Sequence, residues 1–162
     1  MQFQDEYEWE EYYMDYDRLK EEITNSEGLR LRAYQLEYNT EDGPVKEPFY
    51  TIGIGHRVKA SDKIDVNKEY TYDFVQKLFE VDFAVAKAGA DELLGDCHPI
   101  AKECGIEAVF VLGKNGFSKF KKTIQLIKDG ETKLASEEIK DSKWYRQVPH
   151  RVEEISRKLR EI

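Results

Sequence analysis

Helical periodicity runs through most of this 162-residue chain and fails in one place, between Gly28 and Gly55. There the apolar residues alternate, Leu29, Leu31 and Ala33 against Arg30 and Arg32, which suits a half-buried strand and cannot make one helical face. Asn39-Thr40-Glu41-Asp42-Gly43-Pro44 reads as a turn, because Asp-Gly followed by Pro is a strong chain-reversal signal. Phe49, Tyr50, Thr51, Ile52 and Ile54 supply β-formers for a return strand over about Val45 to Gly55. One short β-rich stretch inside a helical chain predicts an α+β fold in which helices dominate.

The flanking segments read as helices. From Glu8 to Ile23 there is no Gly or Pro, and Trp9, Tyr12, Tyr13, Tyr16, Leu19, Lys20 and Ile23 fall at three-and-four spacing. That helix stops near Asn25-Ser26-Glu27-Gly28. After a polar loop to about Glu69, Thr71 caps a long helix through about Leu94, with Phe74, Leu78, Val81, Val85 and Ala88 or Gly89 recurring along it. Pro99 to Leu112, Phe117 to Lys128, Thr132 to Ile139 and Pro149 to Ile162 follow, broken at Gly113, Gly116 and Gly130. The expected plan is an acidic aromatic helix (1–25) that packs on the helical lobe or docks a partner, and a β-rich small lobe (26–70). A connecting helix (71–94) and a helical lobe (95–162) complete it.

Charge narrows the function classes. The 33 acids against 25 bases leave −8, which argues against a protein that coats nucleic acid or anionic lipid by bulk electrostatics. No run approaches the roughly 18 apolar residues of a membrane span. The acidity is local: residues 1–17 hold seven acids and no base, so −8 minus −7 leaves −1 for 18–162. Six aromatics share that leader, which makes residues 1–17 a candidate surface for a protein partner, a virion protein if the family resemblance described below holds. The N-terminal residues lack the basic and apolar regions of a secretory signal. Cys97 and Cys104 read as unbridged thiols, since a fourth metal ligand at a sensible spacing is missing, and no cofactor is expected.

Glu27 falls at a helix–strand junction, where a carboxyl beside apolar neighbours can stay protonated and serve as an acid. Thr51 precedes Ile52-Gly53-Ile54-Gly55-His56, whose glycines let backbone or ligand come close on one face. Ser26-Glu27-Gly28-Leu29-Arg30-Leu31-Arg32-Ala33-Tyr34 together with Thr51-Ile52-Gly53-Ile54-Gly55-His56 resembles the active-site hairpin of the T-even phage lysozyme family, glycoside hydrolase family 24. The resemblance continues through Lys77-Leu78-Phe79, Ala108-Val109-Phe110 with Gly113, and Trp144-Tyr145-Arg146-Gln147-Val148-Pro149-His150-Arg151.

The resemblance implies a lysozyme-like fold of two lobes joined by a long helix, with the cleft between them. It also implies inverting hydrolysis of the β-1,4 bond between N-acetylmuramic acid and N-acetylglucosamine in peptidoglycan. Glu27 would be the general acid and Thr51 would hold the attacking water. An inverting enzyme needs a second carboxylate roughly 6.5–9.5 Å away. Here the chain departs from the family pattern, Glu-x8-Asp-x5-Thr: the ninth residue after Glu27 is Leu36, and Thr51 stands 24 residues on. Glu37 is the nearest replacement, and a bulge would be needed to turn it to the right face. Asp42 and Glu47 are the alternatives, and a different gapping puts Asn39 there, which cannot act as a base.

By position, Phe110 would line the cleft, Thr123 keeps a small polar contact, Glu138 replaces an amide and Arg57 replaces an apolar residue. All four are expected to touch substrate. Arg151 would approach Glu27 and lower its pKa, while His56 would be structural, pairing with Asp82. The expected setting is a phage-encoded enzyme, held in the host cytoplasm until released to the wall, or carried in the virion. The competing expectation is a virion-associated wall-binding or docking module of the same fold with weak or no activity.

Overall fold

The computed structural model describes residues 15–162, so most of the acidic leader, and the helix expected from Glu8 as far as residue 14, lie outside the described residues. Seven α-helices and five strands are present among the described residues. They divide into two compact units: Thr24–Asp82, and the described residues up to Ile23 with Phe83–Ile162. The division falls inside α1 (Tyr16–Glu27) and inside α2 (Tyr72–Leu94).

In the Thr24–Asp82 unit the β-rich stretch is not one long hairpin. β1 (Arg30–Tyr34), β4 (Thr51–Gly53) and β5 (His56–Arg57) form an antiparallel sheet in the order β1-β4-β5. β2 (Glu37–Thr40) and β3 (Gly43–Lys46) pair separately. The interruption falls at Gln35-Leu36 on the way out and at 47–50 on the way back. Pro48 lacks the N–H a continuous ladder would need there. β1 pairs Arg30 with Gly53 and Tyr34 with Thr51, so its register shifts by a bulge.

The chain reverses within the 39–44 run expected to turn, with Glu41-Asp42 as the two loop residues and Gly43 opening β3. Thr40 lies opposite Gly43 across a two-residue loop, Gly43 has φ +108°, and the Thr40 hydroxyl donates to the Gly43 carbonyl at 2.7 Å. Both strands of this outer hairpin are edges, which accommodates Pro44 in β3.

Thr71 caps α2, its hydroxyl accepting the Phe74 N–H at 3.1 Å. The buried face of α2 differs from the expected one. Val75, Phe79, Phe83, Ala86, Ala90 and Leu94 are buried, while Val81 and Val85 are 62% and 66% exposed. The helix carries two apolar stripes, and the one with the larger rings goes inside, because aromatic burial outweighs burial of two valines.

In the unit containing Phe83–Ile162, α3 (Pro99–Ser118) is broken at Gly113, where φ is 77° and ψ 162°. The expected helix from Phe117 to Lys128 is interrupted at Lys119-Phe120, before α4 (Lys121–Lys128). There Phe120 turns its ring towards Phe117 and, edge-on, towards Trp144. α5 (Thr132–Glu138) and α7 (Pro149–Arg160) match expectation, and a short α6 (Lys143–Gln147) capped by Ser142 was not expected. The core contains Leu19, Ile23, Leu94, Ile106, Phe117, Ile139, Ile155 and Leu159, all fully buried. The first turns of α1 join this core through Leu19 and Ile23. Arg18 pairs with buried Glu103 at 2.6 Å, and Glu22 with Lys158 at 2.6 Å.

Candidate active site

Glu27 is the last residue of α1, and Gly28, at φ +76°, ends the helix and turns the chain into β1. A carboxylate at a helix end, on a side chain with three rotatable bonds, is positioned in part by the surface it packs against. Here that is the turn between β4 and β5. A Cβ added at Gly55 would lie 2.7 Å from Glu27 Oε2 and 2.9 Å from its carboxyl carbon, so only glycine leaves room for the carboxylate. Gly55 also has φ +66°, and Gly53, at φ +65°, stands 3.1 Å by the same measure from the Cβ of Val75 on α2. The Gly-x-Gly pattern thus brings the turn close to Glu27 on one side and to α2 on the other.

The residue after the turn fixes it further. His56 is buried, with Nδ1 2.6 Å from Asp82 and Nε2 2.9 Å from Asp62. The bond to Asp82 holds the imidazole above its ordinary pKa; burial opposes this and Asp62 adds to it. Burial alone would raise Asp62, but its hydrogen bonds to His56 and the Lys59 amide outweigh that and hold its carboxyl low. Asp62 gave no signal in the sequence, because it lies in a single 3-10 turn (Ala60–Asp62) with no periodicity.

Thr51 is half-buried on β4, opposite Tyr34 on β1 and Arg57 on β5. Arg57 is exposed and lies over the Phe49 ring at 3.6 Å. Tyr34 is a residue the sequence quoted without assigning a part. Burial pushes its phenol up, the negative charge of Glu27 adds to this, Arg30 opposes it and Glu47 raises it again. Glu27, Tyr34 and Glu47 therefore share one electrostatic neighbourhood. Glu37 and Asp42 are exposed on the outer hairpin, with Glu37 opposite Lys46 across the β2–β3 ladder.

The remaining expected site residues lie in the other unit. Thr123 and Glu138 are brought together: both line a cavity of about 420 Å³, with Phe120, Ser142, Trp144 and Gln147. Glu138 is 3.4 Å from Lys122, and the buried indole N–H of Trp144 has no hydrogen-bond partner among the described residues. Phe110 is half-buried on α3. Arg151 on α7 donates to buried Glu107 at 2.9 Å.

Cys97 and Cys104 are both buried free thiols. Among the described residues no cluster of three metal-ligating side chains occurs, and no helix is long and apolar enough to cross a membrane.

A mostly helical α+β protein, with a small antiparallel sheet and an acid held at a helix–strand junction, has a lysozyme-like fold. The chain is similar to two proteins of Dictyostelium discoideum named probable T4-type lysozyme 1 and 2. Each is 28% identical over 158 residues, covering 82% of this chain and 88% of the relative. These relatives support the T4 lysozyme family and a lysozyme-family function for this chain. No protein-family model matches it.

Proposed function

We propose that this protein is a muramidase, hydrolysing the β-1,4 bond between N-acetylmuramic acid and N-acetylglucosamine in bacterial peptidoglycan with inversion. The observation that carries the reading is the Glu27 carboxylate packed against Gly55 at the helix–strand junction, in a chain similar to T4-type lysozymes. Glu27 is the general acid: its proton passes to the departing glycosidic oxygen as the bond to C1 breaks. Thr51, on the neighbouring strand, orients the attacking water through a hydroxyl that both donates and accepts. Arg57, opposite Thr51 on β5, supplies a further substrate contact. The biological setting proposed with this chemistry is lysis or penetration of a bacterial wall by a phage-encoded enzyme.

The test is digestion of purified peptidoglycan by the wild type and by Glu27→Gln, followed by loss of turbidity and by analysis of reducing ends. Wild type is expected to release fragments with N-acetylmuramic acid at the reducing end, and Glu27→Gln to fall by at least about 100-fold. Failure of the wild type to cleave at any pH or salt would sink the reading and favour a wall-binding role.

A further inference from the structure

We propose that Glu47 is the general base of this enzyme, the carboxylate that takes a proton from the attacking water. The inference rests on the muramidase reading above and deepens it. An inverting glycosidase needs two carboxyl groups with room for a water between them. Besides Glu41 in the turn, the β-rich stretch offers three acids, Glu37, Asp42 and Glu47, and their placements differ.

Glu37 and Asp42 stand on the outer hairpin, exposed to solvent, where a carboxylate is fully hydrated and poorly fixed. Glu47 lies where the outer hairpin rejoins the inner sheet, and its backbone is held from both sides. Its N–H donates to the Leu36 carbonyl at 2.8 Å, and its carbonyl accepts from the Gln35 side chain at 2.9 Å. Four residues on, the chain reaches Thr51 on β4.

The side chain is equally distinctive. Glu47 Oε2 is buried and receives no hydrogen bond from any described residue. A buried carboxylate oxygen without a donor is costly, and a water donating to it removes that cost while being set up for deprotonation. Through Tyr34, whose phenol responds to the charges of both acids, Glu47 belongs to the same neighbourhood as Glu27.

The step balances without any co-reactant. The water oxygen forms a bond to C1, its proton goes to Glu47, the C1–O bond breaks, and the leaving oxygen takes the proton of Glu27.

The experiment compares wild type, Glu27→Gln, Glu47→Gln, Glu37→Gln and Glu47→Ala on peptidoglycan fragments, with kcat, KM and pH profiles. Glu47→Gln is expected to lower kcat by about 100-fold or more while leaving KM within about threefold, and to flatten the acid limb of the rate profile. Glu37→Gln is expected to stay within about twofold of wild type. Sodium azide, a nucleophile that needs no base, should restore turnover to Glu47→Ala by forming the glycosyl azide, and should not restore Glu27→Gln.

Three results would overturn the inference while leaving the muramidase reading intact. One is activity lost in Glu27→Gln and kept in Glu47→Gln. Another is loss in Glu37→Gln in place of Glu47→Gln. The third is a Glu47→Gln defect with an unchanged pH profile and no azide rescue, which marks a structural part. No cleavage by wild type overturns the reading itself, and this inference with it.

Discussion

The Glu27 carboxylate fills the space that a side chain at residue 55 would need, so the acid and the glycine form one unit although they are 28 positions apart. Gly55→Ala should therefore act in two ways. It forces a Cβ into the positive-φ region, at about 1–3 kcal/mol, and it pushes the Glu27 carboxylate out of place. Urea unfolding of the variant should show that loss, and peptidoglycan hydrolysis should fall far more than the lost stability explains.

His56 makes the Thr24–Asp82 unit sensitive to rising pH. Its pKa is raised in the folded protein by Asp82 and, after the opposing effect of burial, by Asp62. The stabilisation is thus fully present below about pH 6.5, the ordinary value for histidine, and is lost as pH rises through the higher folded value. NMR titration should place the His56 pKa above that of a free histidine. Asp82→Asn should bring it down and reduce the fall in stability on the alkaline side.

Arg18 neutralises Glu103, whose side chain is only 4% exposed and whose pKa burial pushes up against the opposing charges of Arg18 and Lys158. Removing Arg18 leaves that buried carboxylate short of a partner. Arg18→Ala should destabilise by about 2 kcal/mol, below the value for a fully buried pair because Arg18 itself is partly exposed. The penalty should shrink in a Glu103→Gln background, as a double-mutant cycle in urea will show.

The choice of buried face on α2 can be tested directly. Val81 and Val85 are exposed, so Val85→Lys should change stability by no more than about 0.5 kcal/mol. Phe79 is 1% exposed, and Phe79→Ala should cost about 3–5 kcal/mol. Equal effects in chemical denaturation would contradict the observed face.

Burial pushes the Cys97 thiol up to about 11 and the Cys104 thiol up to about 12. Because the thiolate is the reacting species, neither should be modified by an aromatic disulfide reagent in the folded protein at neutral pH. Both should react after addition of guanidinium, giving two equivalents per chain.

What the chain determined by itself is local in origin. Gly28 ends a helix, Thr71 starts one, the Glu41-Asp42 loop closed by Gly43 reverses a hairpin, and Gly113 and Gly130 break helices, because each depends on the backbone freedom or capping of a few neighbouring residues. The Ser26 to Tyr34 and Thr51 to His56 motifs likewise pointed to Glu27, since both its helix end and its facing glycines are written in short runs. The tertiary structure decided which stripe of α2 is buried, where the β-rich stretch splits into two sheets, and that Asp62 joins Asp82 on His56. It also left Glu37 exposed and buried Oε2 of Glu47. Spacing from Glu27 along the chain favours Glu37, whereas the environment of a carboxylate depends on strand register and on what the returning chain covers. Those are set by contacts between residues distant in sequence, where side chains compete for a limited interior.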